Sequence, residues 1–203
     1  MNSKVLRNFV TIKGQERILK FIDHIYIQDL HKIIDNVVFL EYVPYMMSLY
    51  DINMKIIRQL CFAVRYLHNN NIIHTNIDVY NVLITADGDV RLAGFEKAGN
   101  IDNEITRMPT IRDPPEVLLG LFGFTKNQDV WRIGVAVYEA VTGKIPFATD
   151  AINVINSVRN PDYSQISDDI VKFLQSIFVL RVDKRPTIQS LIKSHFPGNN
   201  SRI

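Results

Sequence analysis

Residues 72 to 84 read IIHTNIDVYNVLI and gather His74, Asn76, Asp78 and Asn81 into a polar loop between two apolar stretches. The stretch has the outline of a loop that takes a proton from a hydroxyl group. Such a step needs a side chain that titrates near the working pH, an imidazole or a carboxylate in most cases. At the place where the base belongs stands Asn76, whose uncharged amide oxygen is a very poor base near neutral pH. General-base assistance contributes about 100- to 10,000-fold in rate, or roughly 3 to 5 kcal/mol of barrier. The loop keeps a shape and lacks a base at that position.

The elements that would position this loop are legible on either side of it. From Ile18 to Ile34, and again over NVVFLEYV (36 to 43), β-branched and aromatic residues alternate or cluster, which predicts two strands, and Pro44 closes the second. In DINMKIIRQLCFAVRYLHN (51 to 69), Ile57, Leu60, Val64 and Leu67 recur at spacings of three, four and three, the period of an amphipathic helix that ends over Asn69 to Asn71. Val82 to Ile84 and Val90 to Ala93 predict short strands joined by a turn in which Gly88 takes positive φ. Beyond them the chain reads as helical over 130 to 143, 151 to 160, 168 to 180 and 187 to 196, the last started by Pro186 at or near its first turn. VWRIGVAVYEAVTG (130 to 143) is apolar nearly all round except for Arg132 and Glu139, as expected of a helix in the middle of a domain. Asp129 is its expected N-cap and Gly143 its expected C-cap.

The bulk composition limits the function classes. A chain of 203 residues with 47% hydrophobic, 22% charged and 10% aromatic residues suits a soluble globular protein with a full core, and excludes disorder and fibres. Twenty-three basic and 21 acidic residues leave a net charge of +2 with no run of like sign, so no footprint for nucleic acid or an anionic membrane is present. Cys61, the single cysteine, cannot form an internal disulfide and fits a reducing, intracellular and cytoplasmic setting. It lies in the apolar helical pattern and reads as a buried thiol. No apolar run reaches transmembrane length. The basic start of the chain and its final SRI resemble organelle addresses too weakly to be read as such.

Six motifs in register carry a family resemblance. FLEYVPYMMSLYD looks like a hinge after a fifth strand, HTNIDVYN like the catalytic loop H-R-D-L-x-x-x-N, and VRLAGFEKA like the strand that carries D-F-G. PPEVLLG is similar to an A-P-E segment end, QDVWRIGVAVYEAVTGKIPF to a long central helix, and DKRPTI to an arginine-bearing loop near the C-terminus. The chain thus resembles the eukaryotic protein kinase superfamily from about Lys4 to Phe196. The resemblance implies a mainly α (α+β) kinase-like fold: residues 1 to 40 a partial N-lobe with the end of one helix and strands four and five, 41 to 196 the helical C-lobe, and 197 to 203 a tail. The glycine-rich loop and the V-A-I-K lysine of the family find no match, so the first three strands are expected to be missing.

The departures decide the functional expectation. In the family the catalytic-loop aspartate accepts the substrate proton and the D-F-G aspartate holds magnesium; these positions are Asn76 and Gly94. The usual catalytic-loop lysine becomes Asp78. At about 4 Å and an effective dielectric near 20, one charge contact is of order 4 kcal/mol, so reversing its sign opposes phosphate binding. Of the nucleotide site the resemblance leaves Leu83 under the adenine, Asn81 as a second metal ligand, and Glu41 and Val43 in the hinge. One asparagine is insufficient for magnesium. The implied architectural residues are His74 and Phe95 in the internal spine, Glu116 and Arg185 as a buried pair, and Asp129 as acceptor for the catalytic-loop backbone.

Several of these residues also have simpler roles. His74 reads as a packed core histidine, Asp78 as a solvated loop aspartate and Glu96 as a surface glutamate. Thr106 and Thr110 lie in the activation-like segment, but Thr75 replaces the loop arginine that would read a phosphate there. The expectation is a catalytically inactive kinase-like module without a cofactor, its ATP and magnesium binding weak or absent. Its expected partner is another kinase, a kinase regulator, a kinase substrate or a second copy, engaged through an uncovered upper face around Phe95, Leu83 and Tyr42. The alternatives are a weak or atypical ATP-dependent Ser/Thr kinase and a non-functional fragment of a longer kinase gene.

Overall fold

A computed structural model describes residues 9–10, 18–34, 37–40, 43, 45–46, 52–101, 107–121, 123–147 and 161–197. Three small antiparallel sheets precede and flank a helical body. β1 (Phe9–Val10), β2 (Leu30–Ile34) and β3 (Val37–Leu40) form the first, with β3 in the centre, Phe9 opposite Phe39 and Ile33 opposite Val38. β4 (Tyr45–Met46), β6 (Val82–Ile84) and β7 (Val90–Leu92) form the second. β5 (Ile72–Ile73) pairs with β8 (Gly99–Asn100) and so bounds the polar loop from below.

The helices form where the period says they should. α1 (Met54–Asn69) starts at Asn53, whose side-chain oxygen accepts hydrogen bonds from the Lys55 and Ile56 amides at 2.9 and 3.1 Å. It buries Ile57, Leu60, Val64 and Leu67 completely. α2 (Pro115–Leu118) is a single turn, and α3 (Lys126–Thr142) runs through the core with Val130, Trp131, Ile133, Ala136 and Val137 buried. α4 (Asp168–Ile177) and α5 (Ile188–His195) complete the body. Gly134 of α3 is where a glycine is required: a Cβ there would meet Ile177 and Phe178 side-chain atoms at 2.8 Å.

Several boundaries differ from the sequence expectation. Ile18 and Leu19 are helical, and the strand expected over Ile18 to Ile34 is confined to its last five residues. One local and one long-range bond hold the chain here: the Ile27 amide donates to the His24 carbonyl at 2.9 Å and the Asp23 amide to the Tyr66 hydroxyl at 3.2 Å. Phe9–Val10 adds a third strand to the first sheet, too short to show a period. α3 begins a turn earlier than expected, with Thr125 and not Asp129 as its N-cap. The Asp129 carboxylate is drawn instead to two loop amides. Pro186 precedes the N-cap Thr187 of α5, and α4 stops at Ile177. The helix expected over 151 to 160 lies outside the described residues. No helix among them is long and apolar enough to cross a membrane.

Candidate functional site

Two carboxylate oxygens shape the loop from beneath. Asp129, fully buried in the first turn of α3, accepts from the amides of His74 and Thr75 at 2.9 and 2.8 Å and contacts His68 Nε2 at 2.9 Å. Burial opposes its ionisation, but the hydrogen bond and charge of His68, aided by His74, hold its carboxyl below the usual range. Thr75 is thereby held at φ 62°, a left-handed conformation that is costly for a β-branched residue. Its hydroxyl donates to the Lys97 carbonyl at 2.8 Å.

His74 is fully buried and its ring lies 4.6 Å from that of Phe95, edge to face. Nε2 is 2.8 Å from the Ala93 carbonyl, so it carries the proton, and Nδ1 accepts from the Asn76 amide at 3.2 Å. Burial lowers its pKa to about 4, against the opposing pull of Asp129. Both nitrogens serve the backbone. Phe95 is 1% exposed, which overturns its place on an uncovered upper face: His74 and the helical turn Phe95–Lys97 enclose it.

The positions expected to carry chemistry are occupied by structure. Asp78 Oδ1 accepts from the Tyr80 and Asn81 amides at 3.0 and 3.1 Å, an Asx turn that engages the carboxylate locally. Asn81 donates from Nδ2 to the Asn76 carbonyl at 2.8 Å. Gly94 has φ 80°, and a Cβ on it would fall inside the van der Waals envelope of the Asn81 side chain. Asn81 therefore fills the space beside residue 94. Leu83 is half-buried in the centre of β6, opposite Arg91, and Val43 is half-buried outside any regular element. Glu41 and Tyr42 lie outside the described residues. Among those residues no group of three or more histidine, cysteine, aspartate or glutamate side chains could hold a metal ion.

Below the loop the charges are dense and paired. Arg185 donates to both Glu116 oxygens at 2.7 and 3.1 Å and to the Val179 carbonyl at 3.1 Å, and its guanidinium lies 4.8 Å over the Trp131 ring. A second cluster goes beyond the sequence expectation. Asp113, 1% exposed, accepts from Arg107, Gln128 and Arg132 side chains and from Thr110. Burial alone would raise its carboxyl; the Arg107 hydrogen bonds and the charges of Arg132 and Arg107 hold it at about 2. Arg112, next in the chain, grips Glu139 through Nε and Nη2 at 2.9 and 2.6 Å. The one sequence signal for this cluster is the pair of charges in α3, Arg132 and Glu139. Thr106 lies outside the described residues.

With this geometry in place, comparison with known proteins gives a single family. The protein kinase domain family matches residues 5–197. The chain is 28% identical over 210 residues to a protein named serine/threonine-protein kinase kin-29 from Caenorhabditis briggsae, covering 91% of this chain and 26% of that one. It is 29% identical over 162 residues to serine/threonine-protein kinase dkf-2 from the same organism (73% and 13%). Developmentally-regulated protein kinase 1 of Dictyostelium discoideum is 32% identical over 140 residues (64% and 19%). The chain thus spans about a quarter or less of the length of these three relatives.

Proposed function

The chain belongs to the protein kinase domain family, and from that membership we propose that it is a catalytically inactive member that works by contact, binding or regulating another kinase, a kinase regulator or a kinase substrate. The observation that carries this reading is the packing of Asn81 against Gly94. Where the family template places a carboxylate on magnesium, this chain has no side chain and the neighbouring asparagine closes the space. The Asn81 amide nitrogen is turned to the Asn76 carbonyl and Asp78 is engaged in its own turn. Magnesium requires several oxygen ligands in near-octahedral array, and the donors present do not fit it. With Asn76 at the base position, neither the metal nor the proton acceptor of the template has a counterpart.

What the fold retains suits a shape-bearing role. Two of the exposed apolar side chains, Leu119 and Leu121, border an open groove of about 510 Å³ with Pro115, Leu180 and Val182. The kinase names of the relatives favour a second reading, weak ATP-dependent transfer to serine or threonine. Radiolabel transfer from ATP separates the two. The expected result is none, with no melting shift on adding ATP and magnesium. Asn76→Asp with Gly94→Asp is expected to restore nothing and to lower stability, because a side chain at 94 meets Asn81. Transfer that survives stringent purification and disappears in Asp78→Ala would establish the second reading.

A further inference from the structure

We propose that the dipeptide Arg112–Asp113 is a built-in clamp that holds the segment Arg107–Leu121 closed against α3 and the 74–81 loop without any phosphate on the chain. Sign and spacing motivate it. Residues 112 and 113 are positive then negative, and α3 presents the opposite pair, Glu139 and Arg132, seven residues apart on one face. Arg112 meets Glu139 at 2.9 and 2.6 Å, and Asp113 meets Arg132 at 2.9 Å. A one-residue slip of the segment would set like charge on like charge. The pattern therefore selects one seating.

The Asp113 carboxylate is the hub. Six donor atoms point at it: Arg107 Nη1 and Nη2 at 2.8 and 2.6 Å, Thr110 N and Oγ1 at 2.7 and 3.3 Å, Gln128 Nε2 at 2.6 Å and Arg132 Nε at 2.9 Å. Arg132 continues to the Ile77 carbonyl at 3.1 Å and the Thr110 hydroxyl at 2.8 Å, which ties the segment to the polar loop as well as to the helix. Arg107 is fixed from its other side by the Phe124 ring, 4.3 Å from its guanidinium.

Phosphorylation orders a segment by bringing an anion to arginines. Here the anion is a side chain of the segment itself, and Arg107 and Arg132 already hold it. Closed is then the ground state of the unmodified chain, and any partner meets this face preformed. The inference concerns the segment alone and stands whether or not the chain transfers phosphate or binds a partner.

Hydrogen exchange on bacterially expressed protein, shown by intact mass to carry no phosphate, tests it. The Thr110 and Asp113 amides, bonded to the Asp113 carboxylate and the Thr110 carbonyl, are expected to be protected. Asp113→Asn is expected to speed their exchange roughly ten- to hundred-fold while amides of α1 keep theirs. Should that variant fail to fold, the less buried arm decides. Arg112→Gln and Glu139→Gln each open the segment, and the double variant opens it no further, because one contact is lost only once. Exchange of the unmodified protein at the rate of an unstructured loop, full protection surviving in Asp113→Asn, or additive effects in the double variant would each overturn the clamp.

Discussion

The 74–81 loop and the base of the 107–121 segment are bridged by Arg132 and use charge in opposite ways. In the loop the one carboxylate, Asp78, serves two nearby amides, and Asn76 and Gly94 offer no charge at all. Beneath it Asp113, Glu116, Asp129, Arg132 and Arg185 are all buried, and every one has hydrogen-bonded partners. An ion taken out of water costs several kcal/mol unless its partners replace the lost hydration. Residues kept under that cost shape the protein, whereas positions 76 and 94 carry an amide and no side chain.

The widest gap in this comparison is in stability. Glu116→Ala strands Arg185 and is expected to cost about 3 to 5 kcal/mol, whereas Asn76→Ala, whose bonds in the loop run through its backbone, is expected to cost about 0.5 kcal/mol. Urea unfolding measures both, and equal losses would erase the distinction between the two regions. The response to acid sharpens it next. His74 has a folded pKa of about 4, below its ordinary value of 6.5, so the unfolded chain takes up a proton that the folded chain refuses. Stability is therefore expected to fall as pH drops from about 6.5 towards 4, by roughly 1 to 3 kcal/mol. A His74→Gln variant with an unchanged slope over that window would assign the acid sensitivity elsewhere. Asp78→Ala, which removes a turn acceptor, is expected to cost about 1 kcal/mol with no change in phosphate transfer. A loss of transfer instead would make Asp78 a displaced base.

Much of the fold is readable residue by residue. The period of Ile57, Leu60, Val64 and Leu67 marks α1 within three residues of its start, and Gly88 and Gly143 stand at the positive φ their places imply. Strand limits before Leu40 are less legible, because pairing in small sheets depends on which segments meet. Of the site, His74, Glu116, Asp129 and Arg185 stand out in the sequence; the roles of Asn81 and Asp113 do not. The sequence reading places Phe95 both in the internal spine with His74 and on an uncovered upper face, and its burial against His74 keeps only the first.

By itself the sequence determined the family, the helices α1, α3, α4 and α5 and the absence of a carboxylate at 76 and 94, because motif order, helical period and residue identity are properties of neighbours along the chain. Only the tertiary structure decided what stands in the vacated space and which charges are joined. Asn81 reaches Gly94 across 13 residues, Asp113 reaches Arg132 across 19, and Arg112 reaches Glu139 across 27. Contacts of that span are fixed by packing the buried faces of α1 and α3 together, and no local pattern encodes them.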